Sequence, residues 1–189
     1  MPPVHPQSTM QEVLAAYPGA QRALFKRYHI GGCSSCAFRP DETLADLCAR
    51  NGHLDPLAVL ESLKTAHEED EKMMISPREL ADLRARGETV RLLDIRTREE
   101  WDAVRLEGAT RMSQETMKEI LGHWPREALL VIYDHTGRTA LDAAAFFLGH
   151  GFTRVRCLRG GIDAWAREVD SKLPRYRLEG APAAAASPA

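Results

Sequence analysis

Two stretches of the chain carry residues whose types and spacing suit chemistry. The first is Asp134-His135-Thr136-Gly137-Arg138-Thr139, a polar loop between the apolar run LLVIY and a run rich in Ala, Leu and Phe that ends at Gly149 and Gly151. A buried strand that feeds straight into a helix leaves several backbone N–H groups pointing into one small space, which makes an anion cradle. The second is Cys33-Ser34-Ser35-Cys36, a C-x-x-C pair ahead of a helical segment. There one thiol pKa can fall, and the second sulfur can resolve a mixed disulfide or persulfide.

The elements that must position the loop alternate. Residues 90–95 read as a strand, Thr97 with Glu100 as a capping box for the helix carrying Trp101, residues 111–112 as a short strand and 114–122 as a helix. The run 129–133, its helix and a last strand at 155–158 follow. Alternating β and α elements call for a doubly wound parallel sheet. Ser76-Pro77-Arg78-Glu79 opens this unit with a capping box, and Leu80 and Leu83 face inward.

The loop, the segment LLDIRTREEW (92–101), Gly108-Ala109 and GGIDAW (160–165) together resemble the rhodanese domain, in its order and at its usual spacing, over roughly residues 74–177. The resemblance implies a rhodanese-like α/β fold, a structural role for Asp94 and Arg96, and sulfur chemistry. It also marks a departure. Active members carry a persulfide on a cysteine that follows the strand, and this chain has Asp134 there. The common form of that loop is a cysteine, four variable residues including a glycine, then Arg and Ser. Aligned without a gap, those ends fall on Asp134, Thr139 and Ala140, so Arg138 stands one place early. A carboxylate accepts no sulfane sulfur and puts negative charge where an anionic donor would sit. Asp134 is therefore expected to satisfy the loop N–H groups itself, as a capping side chain does. Acid/base chemistry by Asp134 and His135 is the alternative, but no third partner is visible. A phosphatase use of the cradle would also need the missing cysteine.

The first part of the chain is expected to be a separate all-α unit. Thr9 with Glu12 caps a first helix, Pro18 suits the start of a second that runs to residue 27 or 28, and Asp41 or Thr43 caps a third with Leu44, Leu47 and Cys48. Asp55-Pro56 opens a fourth, with Leu57, Leu60 and Leu63 on its stripe. Over residues 9–64 this unit resembles a small helical redox-disulfide family, found alone, beside hybrid-cluster proteins and at the N-terminus of iron–sulfur repair proteins. The matching residues are Tyr17-Pro18, Gly32-Cys33-x-x-Cys36, Asp41-Glu42-Thr43-Leu44 and Cys48. The domain plan is thus a helical C-x-x-C domain at 1–66, a charged run at 67–75 that is a linker or a solvated helix end, the rhodanese-like domain at 76–178 and a disordered tail at 179–189.

Composition bounds the rest. The 189 residues suit one domain of ordinary size plus a smaller one, and 44% apolar with 28% charged residues is that of a soluble globular protein. A formal charge of −2 excludes an electrostatic reason for nucleic acid or an anionic membrane as partner. With no secretory leader or membrane-length apolar window, the chain is expected in the cytoplasm, where its four cysteines, Cys33, Cys36, Cys48 and Cys157, meet a reducing environment.

Cys33 and Cys36 are the candidate catalytic thiols. No cofactor is expected. The competing use of the pair is as ligands to zinc or an iron–sulfur cluster, zinc with Cys48 and His29 or His53 completing the set, but the second paired motif of such sites is absent. Cys157 can approach the cradle from the side or be a small buried strand residue, and the second reading is preferred. Two functions stay open. One is a sulfur or thiol redox relay through Cys33 and Cys36, with a degenerate rhodanese loop and a thiol or sulfur-carrier protein as partner. The other is a non-catalytic scaffold that uses the fold to bind a partner or an anion. The sequence leaves the oligomeric state open.

Overall fold

The computed structural model describes residues 3–31 and 38–176. Cys33 and Cys36, and the tail from residue 177 onward, lie outside the described residues. In chain order the elements are α1 (Met10–Ala16), α2 (Ala20–Tyr28), α3 (Leu44–Arg50), α4 (Pro56–Met73), β1 (Met74–Ile75), α5 (Pro77–Ala85) and β2 (Val90–Asp94). They continue with α6 (Arg98–Ala103), β3 (Ala109–Arg111), α7 (Gln114–His123), β4 (Leu129–Tyr133), α8 (Ala140–Gly149), β5 (Val155–Leu158) and α9 (Gly161–Glu168).

The capping chemistry in the sequence sets the helix starts. Thr9/Glu12, Ser76/Glu79 and Thr97/Glu100 each form a reciprocal capping box. The Thr43 and Asp55 side chains cap α3 and α4. Pro18 falls outside α2, which begins at Ala20 after Gly19.

All strand pairs are parallel, in the order β1-β5-β4-β2-β3. The fold is α/β, with a parallel sheet covered on both faces. Leu92, Val131, Tyr133 and Leu158 pack on one face with Leu80, Ile162 and Trp165. Leu93, Leu130, Ile132 and Cys157 pack on the other with Ile120, Leu141, Ala144 and Phe147. Burial on both sides is why β4 is apolar without alternation.

The helical unit has its own core, built from Met10, Val13, Leu24, Ile30, Leu44, Leu47, Cys48, Val59, Leu60 and Leu63. Leu57 is not part of it. At 64% exposure it faces solvent, because at about 100° per residue it sits some 60° round from Leu60, on the side away from Val59 and Leu63.

Residues 67–75 are also not a free linker. The charged run forms the last turns of α4, and Met74–Ile75 adds an edge strand to β5. Asp70 in that run is buried because Arg22 reaches it from α2.

Candidate functional site

The site is built at the carboxyl end of β4, where the chain leaves the sheet and enters α8. Asp134 is 6% exposed and its carboxylate faces back into its own loop. Oδ1 accepts from the N–H of Thr136 (2.8 Å) and from that of Gly137. Oδ2 accepts from the N–H and hydroxyl of Thr139 (both 2.5 Å) and from the N–H of Ala140 (3.0 Å). Four backbone donors and one hydroxyl therefore converge on one carboxylate. These are the donors that a strand-to-helix loop offers to an anion, and Asp134 uses them, as capping chemistry requires.

The loop is held from below by the turn that starts α9. The carbonyls of Asp134 and His135 accept from the N–H groups of Ile162 (3.0 Å) and Asp163 (3.2 Å). This docking requires two glycines. A Cβ on Gly137, whose φ is +80°, would lie 2.8 Å from the Gly160 nitrogen, and one on Gly161 would lie 2.4 Å from the Asp134 carbonyl oxygen. Any side chain at either position would push the loop off the turn.

Asp94, at the end of the neighbouring strand β2, is fully buried and meets Arg96. Arg96 donates Nε to Asp94 Oδ1 (2.9 Å) and one terminal nitrogen to Oδ2 (2.5 Å) and to the Val104 carbonyl (2.7 Å). Its other terminal nitrogen donates to the Tyr176 hydroxyl (2.7 Å), which donates to Glu100 (2.7 Å). Burial works against the Arg96 charge, but the Asp94 carboxylate more than restores it, so the guanidinium stays protonated. Burial, with Glu100 adding to it, pushes the Tyr176 phenol up to about 12. Tyr176 also lies against His135, with ring centroids 4.4 Å apart. The sequence did not single out Tyr176. Its only signal was an aromatic near the end of the rhodanese match, since its partners lie 76 and 80 residues away.

A family model for the rhodanese-like domain matches residues 76–168. A sulfurtransferase from Allochromatium vinosum is 33% identical over 93 residues, which span 87% of that protein and 49% of this chain. The chain belongs to the rhodanese-like family. It is also 34% identical over 104 residues, 54% of its length, to the "Probable adenylyltransferase/sulfurtransferase MoeZ" of Mycobacterium tuberculosis, but spans only 26% of that larger protein. The human single-domain sulfurtransferase TSTD1 is 25% identical in a superposition covering 51% of this chain and 96% of that one, with a TM-score of 0.45.

In this rhodanese-like domain the loop residues read from the sequence come together around Asp134, but they do different work. His135 packs on Tyr176, Gly137 fits against the α9 turn, and Thr139 is tied to Asp134. Arg138 and Thr136 are exposed. Asp94 and Arg96 form a separate buried pair that supports the strand ends.

Cys157 is fully buried on β5, and burial, with the Asp134 charge adding to it, pushes its thiol up to about 12. Burial also raises the Cys48 thiol, which sits 1% exposed among the apolar side chains of the helical core. Among the described residues, no three side chains of metal-ligating type converge, and no helix is long and apolar enough to cross a membrane.

The two units meet beside the loop. Arg22 on α2 ion-pairs with Asp70 on α4 and, at 3.1 Å, with Asp142 on α8. Next to this bridge lies a groove of about 690 Å³ lined by residues that include Phe25, Gly31, Arg138 and Thr139.

Proposed function

We propose that the protein acts in sulfur and thiol redox relay through Cys33 and Cys36, with a rhodanese loop that does no persulfide chemistry. The observation that carries this reading is the Asp134 carboxylate, whose two oxygens already hold the donors that would cradle a persulfide or an anionic sulfur donor. Cys48 and Cys157 support it by elimination, since both are buried thiols with raised pKa values and make poor nucleophiles at neutral pH. Gly31, two residues before Cys33 in the chain, lines the same groove as Arg138 and Thr139.

In this relay one cysteine thiolate attacks the outer sulfur of a persulfide donor and releases the donor thiolate. The second thiolate then attacks the inner sulfur, which forms the Cys33–Cys36 disulfide and expels hydrosulfide. A dithiol reductant restores the pair. The partner is a thiol or sulfur-carrier protein, and the similarity to proteins named as sulfurtransferases supports that class.

The test is alkylation of the native protein by iodoacetamide across pH, read by mass spectrometry. Cys33 or Cys36 is expected to react well before Cys157, with an inflection below about 8. If all cysteines react alike, or the pair reacts last, the relay fails and a non-catalytic scaffold takes its place.

A further inference from the structure

The seam between the helical unit and the rhodanese-like domain holds a charge imbalance. Arg22 on α2 donates to Asp70, near the end of α4, and at 3.1 Å to Asp142 on α8. Two carboxylates thus face one guanidinium, and their surroundings differ. The Asp142 side chain is 63% exposed, that of Asp70 only 8%. Among the described residues, the Asp70 oxygen Oδ2 is buried with no hydrogen-bond partner, packed against Gly19 where no side chain has room.

The seam is closed around Asp70 from other sides too. Glu71, next in the chain, pairs at 2.8 Å with Arg159, just past β5, and Met73 and Met74 pack into the rhodanese-like core. Separating the two units would return Asp70 to water. Burial, opposed by Arg22 on α2 and His67 on α4 and aided by Asp142 on α8, holds its carboxyl above the ordinary 3.8. The Cys157 thiol, which faces it from β5, is pushed up to about 12 and stays neutral. A carboxyl with a higher pKa in the docked arrangement than in water takes up a proton on docking. This group therefore favours docking as pH falls towards the raised pKa, and that support is lost as pH rises through it.

We propose that Arg22, Asp70 and Asp142 form a proton-sensitive latch that fixes the helical unit on α8, tight when Asp70 is neutral and loose when it is ionised. While both acids are charged, Asp142 feels the attraction of Arg22 and the repulsion of Asp70. A proton on the unpartnered Oδ2 of Asp70 removes the repulsion and leaves the guanidinium to Asp142. Arg138, which lines the groove beside Asp142, keeps its charge throughout and does not alter this difference. Since α8 starts at the Asp134 loop, the latch sets how firmly the helical unit is held beside that loop. Nothing in it depends on the chemistry of Cys33 and Cys36.

The test is a double-mutant cycle in the full chain, read by urea denaturation with circular dichroism. At pH 7, Asp142→Asn alone should change the unfolding equilibrium constant by less than about twofold. In the Asp70→Asn background it should raise that constant about two- to fivefold, the scale of an exposed ion pair freed of its competitor. At pH 5 the effect of Asp142→Asn alone should move towards the value in the Asp70→Asn background, and His67→Gln should keep that shift. An equal effect of Asp142→Asn in both backgrounds at pH 7 overturns the proposal. So does an absent shift at pH 5, or its loss in His67→Gln, which would make the histidine the titrating group. Should Asp70→Asn fail to fold, carbon-detected NMR titration of Asp70 replaces the cycle. Its midpoint should fall in Asp142→Asn, a surface change, and an unmoved midpoint overturns the latch.

Discussion

Asp94 and Asp134 stand at the carboxyl ends of neighbouring parallel strands, and both are buried, yet each charge is stabilised differently. Asp94 is 0% exposed and answered by a full cation, the forked guanidinium of Arg96. Among the described residues, Asp134 meets no cation. Four backbone N–H groups and a hydroxyl answer it instead, at the start of a helix whose dipole favours negative charge there. A cation–carboxylate pair is a closed unit in which each member needs the other. An amide cradle is an open one, because any small anion can satisfy the same donors. The first arrangement holds strand ends in place. The second folds a loop around the chain's own carboxylate.

The largest effect should come from breaking the closed unit. Asp94→Ala leaves the Arg96 guanidinium buried without its counter-charge, a change that costs about 3–5 kcal/mol by the usual penalty for an orphaned buried ion. Urea denaturation should show this loss, and added sulfate should not restore it, since the Arg96 side chain is only 1% exposed. A loss below about 1 kcal/mol would place the pair among surface ion pairs in energetic terms.

Breaking the open unit should cost less and be repairable. Asp134→Ala leaves the N–H groups of Thr136, Gly137, Thr139 and Ala140 without their acceptor. The expected loss is about 1–3 kcal/mol. Because the vacated space is lined by those donors, sulfate or phosphate should bind there and return part of the stability by mass action. The comparison is decided by the salt response of the two variants: a sulfate-dependent midpoint for Asp134→Ala and a sulfate-independent one for Asp94→Ala. The same sulfate response in both would mean that the two sites are stabilised alike.

How far the chain could be read in advance follows the same division. The alternating elements, the three capping boxes and the loop between β4 and α8 were legible because their signals are local, a few residues apart and tied to period or turn chemistry. Asp134 as a self-cap was legible for the same reason, since all its donors lie within six residues. The edge strand β1 was not, because two residues carry no periodicity. The end of α4 read as a solvated run because a string of acids gives no sign that Asp70 will be covered; that depends on Arg22, 48 residues away. Arg22 and Asp142 are 120 residues apart, and the groove beside their bridge had no signal in the sequence.

The smallest effect concerns the acids that each carboxylate disturbs. Burial, then the nearby charge of Asp94, raises the Tyr133 phenol, and burial, then Asp134, raises the Cys157 thiol from 9.0 to about 12. For Cys157 the consequence for stability has a definite sign. Above pH 9 the unfolded thiol releases its proton while the folded one keeps it, so the unfolded state gains and stability falls through the window from 9 to about 12. Near pH 10 the loss from this one group should be about 1 kcal/mol. Cys157→Ala also removes packing at every pH, so the informative quantity is the slope of unfolding free energy between pH 8 and 10, which should be shallower than in the unaltered protein. Asp134→Ala should flatten that slope only slightly, because burial outranks the carboxylate as the cause. If Asp134→Ala instead removes the slope as completely as Cys157→Ala, the carboxylate's field reaches Cys157 in full, and the amide cradle screens its charge far less than five donors should.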